Sequence, residues 1–133
     1  MPGENSEVVR RALLASQNSD LQALLSLIAE ESRVYPRPEE PGVKEFYEGH
    51  HGLFEYLGNW FSQWDEYETE PASFEDAPDD QVLVVIRERG HLKQSGITID
   101  QDFSHSFQVK EGKIVEWRMY DSDEQAREHL GMT

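Results

Sequence analysis

His105 is the residue whose type and place in this sequence best suit chemistry. It stands in the run FSHSFQV, where the residues on its side of an alternating strand are Phe103, Phe107 and Val109. An imidazole among apolar side chains both donates and accepts a hydrogen bond, and it titrates near neutral pH. Such a group acts as acid, base or oxyanion donor, or contacts a ligand, or fills space beside an aromatic neighbour. Asp121 shares the parity of Trp117 and Met119 on the next strand, which points it toward the same face at the rim. Arg87 lies late on the preceding strand. Facing inward it would hold a carboxylate, enolate or phenolate; at the rim it would form an ordinary ion pair with an acid. His105, Asp121 and Arg87 are therefore the candidate catalytic residues. His105 and Asp121 are not expected to touch, because an offset of about four residues at about 3.3 Å each separates them by roughly 13 Å.

The candidate ligand-binding residues are Tyr35, Trp60, Trp64, Arg89, Phe103, Phe107, Trp117 and Met119. They would line either an apolar cavity suited to a flat ring or a packed core. Tyr35 and Tyr47 offer hydroxyls at the mouth. His50 and His51 are adjacent, so on a helix they diverge, and no His-x-x-x-His accompanies them; no metal site is expected. Glu39 and Glu40 are expected to solvate the surface. No phosphate-binding glycine loop, dinucleotide fingerprint or G-x-S-x-G elbow is present, so no nucleotide or organic cofactor is expected.

The elements that must hold these residues are legible from spacing. Val8, Val9, Ala12 and Leu13 recur at helical intervals between Glu7 and Gln17, and Ser19 opens a second helix through an S-x-x-Q capping pattern. Ser32 to Tyr35 reads as a short strand, ended by the loop PRPEEPG. Leu53, Leu57, Trp60 and Trp64 mark a third helix over Gly52 to Trp64 with a wide aromatic face. Tyr67 to Phe74 is a strand that Pro71 consigns to an edge or a bulge, and QVLVVIRERG, apolar on both faces from Val82 to Ile86, is a central strand. Lys110, Glu111 and Gly112 suit a three-residue hairpin loop. That register pairs Val109 with Lys113, Phe107 with Val115, His105 with Trp117, Phe103 with Met119 and Gln101 with Asp121. Ser122 caps a last short helix that Gly131 stops.

The chain has 133 residues, enough for one domain spanning 1–133. Acidic residues outnumber basic ones 27 to 12, and the net charge of −15 argues against nucleic acid and anionic membrane surfaces as partners. Cysteine is absent, which removes disulfides, thiolate metal sites and a cysteine nucleophile. MPGENSEVVRR has no basic stretch followed by an apolar one, and no long apolar run follows, so a soluble cytoplasmic protein is expected. Helices first, then antiparallel strands with one inserted helix, give an α+β layer in which helices cover a curved sheet.

Four strings carry a resemblance: VVRRALLASQNSDLQALLSLIAEESRVY, YEGHHGLFEYLGNWF, RERGHLKQSGI and GKIVEWRMYDSDEQAREHLGM. In this order they resemble the SnoaL-like branch of the NTF2-like, ketosteroid-isomerase-like superfamily over nearly the whole chain. The resemblance implies a cone-shaped α+β fold, a homodimer, and a pocket between helices and curved sheet. In ketosteroid isomerases an aspartate base works with a tyrosine and a protonated aspartic acid; their places here fall near Pro36, Ala12 and His105. The Asp-Arg-Asp set of limonene epoxide hydrolases falls near Arg89, Arg87 and Met119. Neither set transfers intact. What the resemblance implies is a pocket for an apolar or aromatic metabolite. The protein either transforms it by cofactor-free isomerisation, cyclisation or dehydration, or is a non-enzymatic homodimeric module for ligand binding or for assembly.

Overall fold

The computed structural model describes residues 3–40 and 42–132. Two helices open it, α1 (Glu4–Gln17) and α2 (Leu21–Ser26). Strands β1 (Ile28–Tyr35) and β2 (Tyr47–Glu48) follow, then α3 (Gly49–Ser62), the strands β3 (Trp64–Ala77), β4 (Gln81–Leu92), β5 (Thr98–Lys110) and β6 (Lys113–Met119), and finally α4 (Asp123–Leu130). The six strands form one curved, unclosed sheet in the order β2, β1, β6, β5, β4, β3, antiparallel except where β1 runs alongside β6. Helix α3 carries the chain from the β2 edge to the β3 edge, and so lies across the concave face.

That face holds the core. Val82, Val84 and Ile86 of β4, Phe107 and Val109 of β5, and Ile114 and Trp117 of β6 pack against Val9, Ala12 and Leu13 of α1 and Leu53, Tyr56 and Leu57 of α3. The opposite face carries a smaller cluster, in which Leu83 and Tyr120 meet Ala126 and Leu130 of α4. Ser104 and Ser106 point that way too, bonded to Asp123 and to the Tyr120 hydroxyl at 2.8 Å each. The odd side of β5 therefore faces the interior and its even side lies under α4.

Several local expectations hold. β3 is an edge strand whose register shifts between Pro71 and Ser73; β4 is central; Ser122 accepts from the Gln125 amide, and Gly131 ends α4 with φ +74°. Others need correction. The second helix is capped by Asp20, whose carboxylate accepts from the Ala23 amide, while Ser19 sits at φ +55° as the turn residue before it. β1 begins four residues earlier than expected, at Ile28. The third helix runs from Gly49 to Ser62, so Trp64 is not on it but starts β3. There its indole lies against Gly90, where an added Cβ would come within 2.7 Å of Cε3. Pro41 of the PRPEEPG loop lies outside the described residues.

The β5–β6 hairpin departs from its expected register for a definable reason. The turn has two residues, Glu111 and Gly112, both at positive φ (+53° and +76°), so Lys110 pairs with Lys113 and Val109 with Ile114. Continued evenly, that register would set Phe107 against Glu116. A bulge at Val115 absorbs one residue, restores the parity of β6, and sets Phe107 opposite Trp117 and His105 opposite Met119. β6 ends at Met119, so Asp121 has no partner at Gln101.

Candidate functional site

Between α1, α3, the β1–β2 loop and the concave sheet lies a cavity of about 530 Å³, within the roughly 300–1,000 Å³ usual for small-molecule pockets. Its aromatic wall comes from the end of α3 and the start of β3. Trp60 and Trp64 lie 5.3 Å apart, Trp64 and Tyr67 4.9 Å, and Trp60 meets Tyr67 edge-on at 6.0 Å. Exposed Gln17, Ser19, Phe61 and Glu68 mark its open side. Gln17 also donates to the Thr69 carbonyl, tying the end of α1 to β3.

The floor carries the chemistry. His105 and Glu88 are 7% and 6% exposed, a degree of burial at which a polar side chain needs partners. Trp117 Nε1 stands 3.0 Å from His105 Nδ1. An indole nitrogen only donates, so Nδ1 must accept, and the ring's single proton lies on Nε2. That Nε2 faces Oε2 of Glu88 at 3.6 Å, beyond a full hydrogen bond, while the Tyr67 hydroxyl donates to Oε1. The result is a chain of four groups, Trp117, His105, Glu88 and Tyr67. Its free elements are one carboxylate oxygen and one imidazole N–H, side by side. Nitrogen-15 NMR is expected to show His105 Nδ1 unprotonated and Nε2 protonated at neutral pH, with Trp117→Phe removing that preference; an imidazolium in the wild type would contradict the assignment.

A second polar pair closes the site from the loop side. The Tyr56 hydroxyl donates to Oε1 of Glu40 at 3.0 Å and approaches Met119 Sδ at 3.3 Å. Burial raises the Glu40 carboxyl above its ordinary range, an effect opposed by the Tyr56 hydrogen bond and by the charge of Arg37. Burial and the neighbouring carboxylates also push both tyrosines upward, so Tyr56 and Tyr67 remain protonated donors at neutral pH. Trp64 Nε1 is buried without a partner among the described residues.

Of the residues singled out from sequence, His105, Trp60, Trp64, Trp117 and Met119 line this cavity. Trp117 meets His105 diagonally rather than from the directly opposite position. Phe103 and Phe107 share the inward parity but lie outside the cavity lining: Phe107 is packed behind it against Trp117, and Phe103 lies under the Arg37 guanidinium. Arg87 and Arg89 have the odd parity of the outer face. Arg87 pairs with Asp100 at 2.7 Å and Asp102 at 3.4 Å, and Arg89 with Asp100 at 3.3 Å and Glu68 at 3.9 Å. Asp121 lies beyond the end of β6 and does not line the cavity, and Tyr35 lines a neighbouring groove, its ring under the Arg118 guanidinium. Tyr47 is buried and accepts from the Lys44 amide, and His50 Nε2 donates to the Ile28 carbonyl at 2.8 Å.

Sequence reasoning missed Glu88, Tyr67, Tyr56, Glu40 and Arg37. For Glu88 a signal existed, since the even parity of Val82, Val84 and Ile86 continues to it. Glu40, expected to solvate the surface, is instead turned onto Tyr56.

Solved structures share this architecture. TerC, crystallised with polyporic acid, is 22% identical, with 96% of this chain and 98% of that one covered and a TM-score of 0.77. An NTF2-like protein from Burkholderia xenovorans is 28% identical over 88% of each chain, with a TM-score of 0.73. A protein with a ketosteroid-isomerase-like fold from Catenulispora acidiphila, in complex with trimethylamine, is 14% identical, covers 96% and 94%, and has a TM-score of 0.71. The fold is thus NTF2-like. The family profile for the SnoaL-like domain matches residues 9–117, and the chain belongs to that family. No curated protein matches the chain significantly. Among the described residues no helix is long and apolar enough to cross a membrane.

Proposed function

We propose that this protein binds a flat, largely apolar or aromatic metabolite in the cavity and moves a proton on it without a cofactor, as a cytoplasmic homodimer. The observation that carries this reading is the buried Trp117, His105, Glu88 and Tyr67 chain opening onto an aromatic-walled space. Oε2 of Glu88 takes a proton from carbon or oxygen of the ligand. The adjacent Nε2–H of His105, its ring fixed by Trp117, donates to the oxygen on which negative charge develops. Proton abstraction next to a carbonyl is the step common to isomerisation, cyclisation and dehydration of such compounds. The co-crystallisation of TerC with polyporic acid supports a small-molecule ligand for a protein of this fold.

A binding-only reading has one observation in its favour, that both inward carboxylates, Glu40 and Glu88, already accept from a tyrosine. The two are separated with a flat bicyclic ketone, 2-tetralone, in deuterated buffer. The proton-transfer reading expects the wild type to accelerate exchange of its α-protons on the order of 100-fold or more over buffer, the low end of general-base catalysis. Quenching of tryptophan emission by the ketone without exchange would leave binding and remove catalysis.

A further inference from the structure

Arg37 is out of keeping with the rest of the chain's arginines. Every other one, from Arg10 to Arg127, stands against a carboxylate. Arg37 has neither an ion pair nor a side-chain hydrogen bond among the described residues, in a chain where acids outnumber bases 27 to 12. It is half-buried in the β1–β2 loop and lines the cavity on the wall shared with the neighbouring groove. Its guanidinium lies over the Phe103 ring at 4.5 Å and toward that of Trp60 at 5.9 Å. Aromatic faces hold a guanidinium in place without consuming its N–H donors. The nearest inward acid on its own loop, Glu40, is bonded to Tyr56 instead.

A positioned, cavity-lining fork of five donors with no protein acceptor is half of a recognition pair. We infer that Arg37 is the anchor for a planar oxyanion on the ligand, a carboxylate or an ionised enol or phenol, and so sets the protein's preference for acidic over neutral aromatic compounds. The inference rests on the cavity being a ligand site and adds the ligand's charge. The anionic group lies on Arg37 at the loop side, and the ring system lies along Trp60 and Trp64 in the cavity whose floor holds Glu88 and His105. Arg37 then offsets the ligand's own negative charge in a cavity that also holds the Glu88 carboxylate. The role sought for Arg87 in the sequence falls to an arginine in a loop that periodicity does not reach.

The test compares three probes of one shape, 2-naphthoate, 2-naphthamide and 2-naphthylmethylammonium, by ligand-observed NMR titration at pH 7 in low salt. The wild type is expected to bind naphthoate roughly 10-fold or more tightly than naphthamide, as a charge-assisted hydrogen bond allows, despite the chain's net charge of −15. Arg37→Met, which keeps an apolar stem over Phe103, brings the naphthoate affinity down to that of the amide or below it. Arg37→Lys keeps the charge without the planar fork and retains part of the preference. Naphthamide bound as well as naphthoate by the wild type, a preference that survives Arg37→Met, or tighter binding of the ammonium probe would each overturn the inference while leaving a ligand cavity. Binding of none of the three would overturn the cavity as a ligand site and this inference with it.

Discussion

Glu88→Gln is expected to cut the α-proton exchange of 2-tetralone by roughly 100-fold or more while the fold is retained. The substitution is close to isosteric. The amide oxygen still accepts from the Tyr67 hydroxyl, so the buried position is not left without a partner. What is lost is the capacity of Oε2 to take a proton. His105 cannot replace it, because its Nδ1 is engaged by the Trp117 indole and its Nε2 already carries the ring's proton. The expected pattern is therefore asymmetric: Glu88→Gln abolishes exchange, whereas His105→Gln, which retains a donor, slows it less. Circular dichroism and urea unfolding establish that both variants are folded. Exchange at the wild-type rate in folded Glu88→Gln would remove Glu88 from the chemistry, and a larger loss in His105→Gln would return the leading role to the imidazole.

How far this site was legible in the sequence divides along the difference between strands and loops. Period-two alternation fixes which face a strand residue belongs to, and it placed His105, Trp117 and Met119 inward correctly even though the hairpin register was two residues off. That tolerance has a physical origin: a shift of two preserves facing, and the bulge at Val115 absorbs the single-residue remainder left by the two-residue turn. The same alternation puts Arg87 and Arg89 outside and Glu88 inside once the apolar run Val82 to Ile86 is treated as one strand continuing to Leu92. Reading that run as apolar on both faces hid the distinction. Its outward side is buried as well, because α4 folds over Leu83. Arg37 and Glu40 lie in an irregular loop whose direction is set by tertiary contacts, Phe103 under one and Tyr56 beside the other, and no local pattern encodes those. Trp64 shows a third case. Its spacing after Trp60 fits a helix, yet the helix ends at Ser62 and the indole reaches the same cavity from a strand, so the side chain was assigned to the correct wall for the wrong element.

Phe107→Ala carries the largest expected stability loss, about 3–5 kcal/mol, a large share of the roughly 5–15 kcal/mol that holds a domain of this kind. Phe107 is 1% exposed and is the largest of the fully buried side chains. Its ring lies 5.1 Å from that of Trp117 and 6.4 Å from that of His105. Truncation removes apolar contact and leaves a void directly behind the indole that fixes the imidazole. The loss of stability therefore has a counterpart in the site: the Trp117 indole gains room to rotate, the hydrogen bond to His105 Nδ1 weakens, and the Nε2 proton loses its fixed place opposite Glu88. Urea denaturation measures the first effect and the nitrogen-15 shifts of His105 the second. Phe107→Leu, which keeps most of the volume, is expected to cost under about 1.5 kcal/mol and to leave the tautomer in place. A folded Phe107→Ala protein with near wild-type stability and an unchanged His105 spectrum would show that the indole is held from elsewhere. The four-group chain would then owe its geometry to the Tyr67 and Glu88 side of the cavity rather than to the packed core behind it.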